Sequence, residues 1–278
     1  MLKMNLLQDI WSKNPLRSSK YKKYFDVYQK LFSKYRNTDI TFVEIGVSHG
    51  GSLHMWKDYF TKNSRIIGIE LDPNAKKIET DRIEIFIGDQ SDENFWEDFF
   101  KKVGKVDVIL DDGGHTNLCQ IITSKCCIPN IKDNGMLVIE DVHTNYMKSY
   151  FNPSDYSFIN FSKKLVDDVN FTHPNIGEFK YSLNKFIYSI EYFANFVAFK
   201  IDTSRTYHEK GLIKKNGLLS DIESQTYHVK LKFFDTSEIF RKCVKILKKI
   251  KIIMKIGLFI KLYLQKKKEG SKVRKYFK

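Results

Sequence analysis

Between Ile40 and Val142 the chain is a succession of short apolar blocks, each of strand length and most running into acidic residues. "ITFVEIGVSHGGSLHMW" passes from strand pattern through a glycine turn into helix. "RIIGIELDP", "IEIFIGDQSD", "VDVILDDGGH" and "GMLVIEDVH" then repeat the strand-and-acid theme. Helix-length stretches lie between them, such as 94–102 and 118–131. Apolar strands alternating with helices predict a parallel sheet covered on both faces. Upstream, Tyr24, Phe25, Tyr28, Leu31, Phe32 and Tyr35 recur at i, i+3/i+4 spacing, which predicts an amphipathic helix leading into the domain. Downstream, "FIYSIEYFANFVAFKI" reads as two strands around a polar break, an antiparallel hairpin that closes the sheet edge. The expected fold is therefore α/β, a mostly parallel sheet with an antiparallel edge hairpin.

This patterning divides the chain into a helical N-terminal segment (1–37), an α/β domain (38–201) with a lid-like insertion at 151–185, an accessory segment (202–236) and a tail (237–278). With 278 residues, 42% of them hydrophobic, the chain can bury a large core without cross-links. Cys119, Cys126, Cys127 and Cys243 match neither a zinc ligand set nor a disulfide framework, so free thiols in a reducing compartment are expected. The first twenty residues lack a signal-peptide pattern and no window is apolar enough to span a bilayer, which predicts a cytoplasmic protein.

Charge changes the picture only at one end. The net charge is +14, and 237–278 hold fifteen Lys and Arg against Glu238 and Glu269, leaving 1–236 close to neutral. General nucleic-acid binding by the domain loses its main support. In the tail, Ile246, Leu247, Ile250, Ile253, Met254 and Gly257 follow helical spacing with Lys245, Lys248, Lys249 and Lys255 among them. A basic amphipathic helix suits an anionic membrane surface, which would place the protein peripherally at the inner face of the membrane. An oligomer interface, or a helix docked on the domain, is the alternative.

Open parallel sheets bind ligands at the carboxyl ends of their strands, so the acid endings describe one rim of one site. The turn "EIGVSHGGS" stands between strand and helix but is not G-x-G-x-x-G. Its wider E-x-G-x-x-x-G spacing leaves room for an amino-acid moiety, and Glu70 ends the next strand where a carboxylate accepts ribose hydroxyls. S-adenosyl-L-methionine is favoured over NAD on these grounds. The candidate cofactor residues are Glu44, Gly46, Ser48, Gly50, Ser52, Glu70, Asp72, Gly88, Asp89, Gln90 and Asp111. Asp111-Asp112 and Glu140-Asp141 end neighbouring strands, where their repulsion calls for protons or a cation. Oxygen ligands without thiolate point to Mg²⁺ or another divalent cation, with Asp112, Glu140 and Asp141 as ligands and Asp111 facing cofactor or turn. His115, beyond a Gly-Gly turn, is the candidate general base, because neutral imidazole accepts an alcohol proton near pH 7. His143 is a second candidate base, though it and Tyr146 are placed to line the acceptor pocket.

Together, "VEIGVSHGGSLHMWKDYF", "IIGIELDP", "IGDQSD", "DVILDDGGHT" and "VIEDVHTNY" resemble the metal-dependent class I sugar O-methyltransferases, the group that includes macrolide-sugar enzymes and relatives in polysaccharide biosynthesis. The resemblance runs from about Tyr21 to Ile201. It implies a Rossmann-like class I methyltransferase fold, Mg²⁺ on Asp112, Glu140 and Asp141, His115 as base, and a carbohydrate acceptor that is free, nucleotide-linked or glycan-linked. The basic tail departs from the antibiotic enzymes and favours a capsule or lipopolysaccharide sugar. A small-molecule or catechol acceptor, and a non-catalytic cofactor-binding membrane-associated protein, are the competing readings.

Overall fold

A computed structural model describes residues 6–150, 152–170 and 183–206, with single positions at 215, 217, 257, 260 and 264. Its contacts separate 1–213 from 214–278. Most of the basic tail and of the accessory segment, with Cys243 and residues 151 and 171–182 of the insertion, lie outside the described residues.

Seven strands form one sheet in the order β3-β2-β1-β4-β5-β7-β6. They are β1 (Thr41–Ile45), β2 (Arg65–Glu70), β3 (Ile83–Ile87), β4 (Val106–Asp111), β5 (Ile131–Ile139), β6 (Ile187–Phe193) and β7 (Phe196–Ile201). The first five are parallel, and β7 runs antiparallel to both β5 and β6. The hairpin thus closes one edge, as its two apolar runs predict. The helices are α1 (Leu6–Lys13), α2 (Tyr24–Phe32), α3 (Gly51–Tyr59), α4 (Glu93–Val103), α5 (Asn117–Cys127), α6 (Phe158–Asn170) and the short α7 (Thr203–Thr206).

Each crossover helix starts and stops where local chemistry dictates. Asp92 caps α4 by accepting the Asn94 N–H, and Gly104 ends it in left-handed backbone. The Thr116 side chain accepts the Cys119 N–H to open α5, which gives way at Ile128-Pro129. The predicted lead-in helix is present but shorter than its spacing implies, with a 3-10 turn at Ser33–Tyr35 taking over its last positions. Helix α1, which carries no strong pattern in the sequence, precedes it and buries Leu7.

Period-2 alternation sends Phe42 and Glu44 of β1 to one face of the sheet and Val43 and Ile45 to the other. On the first face α2 and α3 pack an aromatic cluster in which Tyr28, Phe32, Phe42 and Phe60 all contact the Trp56 ring at centroid distances of 5.0–5.9 Å. On the second face Trp96 and Phe99 of α4, Ile122 of α5 and Leu165 of α6 cover Ile67, Ile109, Leu137 and Phe199. The insertion therefore contributes α6 to the core. Cys127 is buried and Cys119 and Cys126 are half-buried, all three as free thiols. Among the described residues no helix is long and apolar enough to cross a membrane.

Candidate active site at the carboxyl ends of the strands

The turns after β1 and β4 are in backbone contact. Gly46 has φ +90°, and a Cβ there would collide with the Asp112 carbonyl oxygen and the Gly113 Cα. Its N–H donates to Ile69 O at 2.9 Å, and the Asp112 N–H to Ile45 O at 3.0 Å, so the two turns are bound into the sheet as well as to each other. Glu70, at the end of β2, accepts the N–H groups of Val47 at 2.9 Å and Ser48 at 3.0 Å. A carboxylate read as a ribose ligand thus also fixes the glycine turn.

A cavity of about 310 Å³ opens above these ends, walled by Gly46, Ser48, Glu70, Gly88, Asp89 and Gln90. Asp89 accepts from the N–H and hydroxyl of Ser91, which fixes its carboxylate at the rim. Gln90 is buried. Its amide donates to both oxygens of Asp111 and its carbonyl accepts the Gly114 N–H at 2.6 Å. Asp111, 1% exposed, also accepts the Gly113 N–H at 3.1 Å, so it faces the turn. Burial raises its pKa, against the hydrogen bonds from Gln90 and Gly113.

Other candidates lie elsewhere. Glu44 is fully buried on the α3 face, where it accepts from Ser52 Oγ at 2.5 Å and Trp56 Nε1 at 3.4 Å, and it does not line this cavity. Burial pushes its pKa up to about 7. Asp72 is exposed and caps the turn after β2 by accepting the Asn74 N–H. Gly50, in left-handed backbone, starts α3.

The second acid group stands beside the first. Asp112, His115 and Asp141 each offer a ligand atom, all within 4.8 Å of one another, a separation that fits a single cation among them. The His115 Nε2 is 3.9 Å from Asp112 and 3.7 Å from Asp141. Glu140 turns inward instead, 1% exposed, where it accepts the Tyr28 hydroxyl at 2.6 Å and the Lys20 ammonium at 3.2 Å. Lys20 bonds Asp112 as well, and Tyr24 donates its hydroxyl to Asp141. Burial works against the charge on Lys20, but Glu140, Tyr28 and Asp112 outweigh it and hold its pKa well above the usual range. Burial first, with Asp112 adding and Lys20 opposing, pushes Glu140 up to about 8.

Lys20, Tyr24 and Tyr28 are absent from the sequence-derived site. Tyr24 and Tyr28, one turn apart in α2, share a helix face, and that spacing is the available signal for them; Lys20 lies before the helix and carries none. Among the described residues, five non-glycine positions have left-handed backbone, and Ser48, His115 and Asp141 are three of them. Such conformations persist where the surroundings over-determine them, and here they cluster at the ends of β1, β4 and β5. Beyond Asp141, the His143 Nδ1 lies 3.6 Å from the Asp141 carboxylate. His143 and Tyr146 line a separate cavity of about 600 Å³ whose wall is mainly apolar, with Ile159, Val166 and Phe196 among its residues.

The strand order, the glycine turn and the acid-ended strands define a Rossmann-like class I methyltransferase fold. The mycinamycin-pathway methyltransferase MycE, solved with Mg, S-adenosylhomocysteine and mycinamycin VI, superposes with a TM-score of 0.66 at 22% identity, over 77% of this chain and 58% of that one. In sequence the chain is similar to sugar O-methyltransferases, as its motifs imply. It is 29% identical over 157 residues to the 8-demethyl-8-alpha-L-rhamnosyl tetracenomycin-C 2'-O-methyltransferase of Streptomyces olivaceus, covering 53% of this chain and 41% of the relative. It is 30% identical over 163 residues to the demethylmacrocin O-methyltransferase of Streptomyces fradiae, covering 54% and 40%. The matches thus span about two fifths of these relatives' own length. No protein-family model matches the chain.

The contact between the two turns is open to a direct test. Gly46→Ala and Gly104→Ala both place a side chain on left-handed backbone, at a cost of about 1–3 kcal/mol, but Gly104 has open space around it. Chemical denaturation should show Gly46→Ala unfolding at clearly lower denaturant than Gly104→Ala. Equal midpoints would mean that the turns can separate freely.

Proposed function

We propose that the chain is an S-adenosylmethionine-dependent O-methyltransferase that acts on a sugar hydroxyl with a divalent cation, Mg²⁺ by preference, and His115 as general base. The observation that carries the reading is the convergence of Asp112, His115 and Asp141 beside a cavity that Glu70 and Asp89 equip for a nucleoside. The relative named for the 2'-O-methylation of a rhamnosyl tetracenomycin supports the same acceptor class. When bound, S-adenosylmethionine would supply an electrophilic methyl and the cation would make the acceptor hydroxyl more acidic. The residues would divide the remaining work. Glu70 accepts from the ribose, Asp89 from the adenine amine, and Asp112 and Asp141 hold the cation. The His115 Nε2, 3.9 Å from Asp112 and 3.7 Å from Asp141, takes the acceptor's proton.

One observation supports a second role for His115, as a third ligand of the cation, since its ring nitrogen and one oxygen each of Asp112 and Asp141 lie within 4.8 Å of one another. Glu140, engaged with Tyr28 and Lys20, would then support the site from behind. The apolar cavity beside His143 supports an acceptor whose sugar is carried on an apolar body, such as a lipid-linked glycan. With the basic composition of the tail, this favours capsule or lipopolysaccharide biosynthesis at the inner face of a membrane.

Methyl transfer from S-adenosylmethionine to lipid-linked glycan acceptors, followed by mass spectrometry, should require added Mg²⁺. Full turnover after exhaustive chelation would end the cation assignment. His115→Ala should abolish turnover while Mn²⁺ binding, read by electron paramagnetic resonance, stays within about twofold. A loss of Mn²⁺ affinity beyond tenfold would make His115 a ligand.

Membrane association is tested apart from catalysis. The full chain should sediment with anionic vesicles at low salt, and a chain lacking residues 240–278 should not. Equal partitioning of the two would remove the membrane reading.

A further inference from the structure

The turn between β6 and β7 reaches the acid cluster from the edge of the sheet. Phe193 pairs with Phe196, so the loop is the two residues Ala194 and Asn195. Asn195 has φ +75°, a backbone open to glycine and tolerated by asparagine. In the sequence these two residues are only the break between apolar runs. In the fold the turn lies against the residues that follow β5. The Asn195 carbonyl accepts the Val142 N–H at 3.1 Å, and its side-chain amide donates to the Tyr24 hydroxyl oxygen at 3.0 Å. Asn195 also lines the apolar cavity beside His143.

Tyr24 has one hydroxyl proton and gives it to Asp141 Oδ1. With an amide N–H arriving at the hydroxyl oxygen, that proton is left to the carboxylate. The ring cannot swing away, because Tyr24 is 1% exposed and packs edge-on against Phe196 at 4.5 Å between centroids. The two oxygens of Asp141 are thus divided. Oδ1 faces Tyr24 and, at 3.6 Å, the His143 Nδ1. Oδ2 faces the His115 Nε2 at 3.7 Å. A carboxylate without such a partner turns easily about its last bond and exchanges the two.

We propose that Asn195 is a positioning residue of the cation site, which acts through Tyr24 to hold Asp141 with Oδ2 turned toward the cation. The proposal rests on the cation reading above and concerns a residue that reading leaves unused. Partners behind a metal ligand set its orientation, and they raise affinity because the ligand is already ordered when the ion arrives. Asn195 is the far end of such a chain, which runs from amide to phenol to carboxylate. Tyr24 alone would offset part of the Asp141 charge. What Asn195 adds is direction.

The test uses the full chain, with Mn²⁺ as the probe. Asn195→Gly removes the amide, leaves the left-handed backbone unstrained and keeps the carbonyl that receives the Val142 N–H. Tyr24→Phe removes the hydroxyl. By electron paramagnetic resonance, Tyr24→Phe should weaken Mn²⁺ roughly tenfold and Asn195→Gly roughly threefold or more, as loss of outer partners of a metal ligand does. Because one residue acts through the other, the double variant should bind no worse than Tyr24→Phe alone. Unchanged Mn²⁺ affinity in Asn195→Gly overturns the proposal, and so do losses that multiply in the double variant. The Asn195→Gly result decides by itself if Tyr24→Phe does not fold. S-adenosylhomocysteine binding should not change in Asn195→Gly, and an equal loss of both ligands would mark a structural defect and overturn the proposal. Unchanged Mn²⁺ affinity with a raised acceptor KM would make Asn195 an acceptor contact and overturn it too. If the wild-type chain binds no Mn²⁺, the cation reading itself fails and the proposal with it.

Discussion

Four carboxylates, on Asp111, Asp112, Glu140 and Asp141, stand at the carboxyl ends of two adjacent parallel strands. Unit charges a few ångströms apart repel by several kcal/mol at the effective dielectric of a protein, so the surrounding structure has to compensate each of them. Asp111 is met by the Gln90 amide and the Gly113 N–H, and Asp141 by the Tyr24 hydroxyl. Glu140 and Asp112 share the ammonium of Lys20, whose side chain is 3% exposed, and Glu140 also receives the Tyr28 hydroxyl. Breaking such a buried arrangement by removing one partner costs about 3–5 kcal/mol in comparable proteins, because the stranded charge has no water to turn to.

Compensation explains why the helical lead-in is part of the site and not an appendage. Tyr24 and Tyr28 reach the acid cluster from α2 and Lys20 from the segment before it, while Tyr28 and Phe32 anchor the helix in the Trp56 cluster. One short stretch thus ties the packed core to the electrostatics of the strand ends. At the outer part of the cluster Asp112, His115 and Asp141 converge, and two of the three have left-handed backbone.

The parts legible in the sequence are those fixed by local pattern. Apolar runs ending in acid identify the five parallel strands, and the paired runs in "FIYSIEYFANFVAFKI" identify the edge hairpin. Glu44 shows where local reading stops. Its position before the glycine turn resembles a ligand's, but strand alternation places it with Phe42 on the α3 face, where Ser52 and Trp56 claim it. Lys20 was hidden for the opposite reason. In "SSKYKKYF" it is one lysine among several, and its partners lie 92 and 120 positions away. Long-range burial, not residue type, gives it a role. Gln90 and Asp111 are candidates by their strand-end positions, but their bond to each other belongs to the tertiary structure.

The central claim is that the outer half of the acid cluster is a cation site that opens on the nucleoside-type cavity. The most direct measurement is anomalous diffraction from crystals grown with Mn²⁺ and S-adenosylhomocysteine. The account predicts one strong anomalous peak about 2.0–2.3 Å from carboxylate oxygens of Asp112 and Asp141, a typical span for oxygen ligands, with the nucleoside beside Glu70. An anomalous map with no peak there, while the nucleoside occupies its cavity, would contradict it.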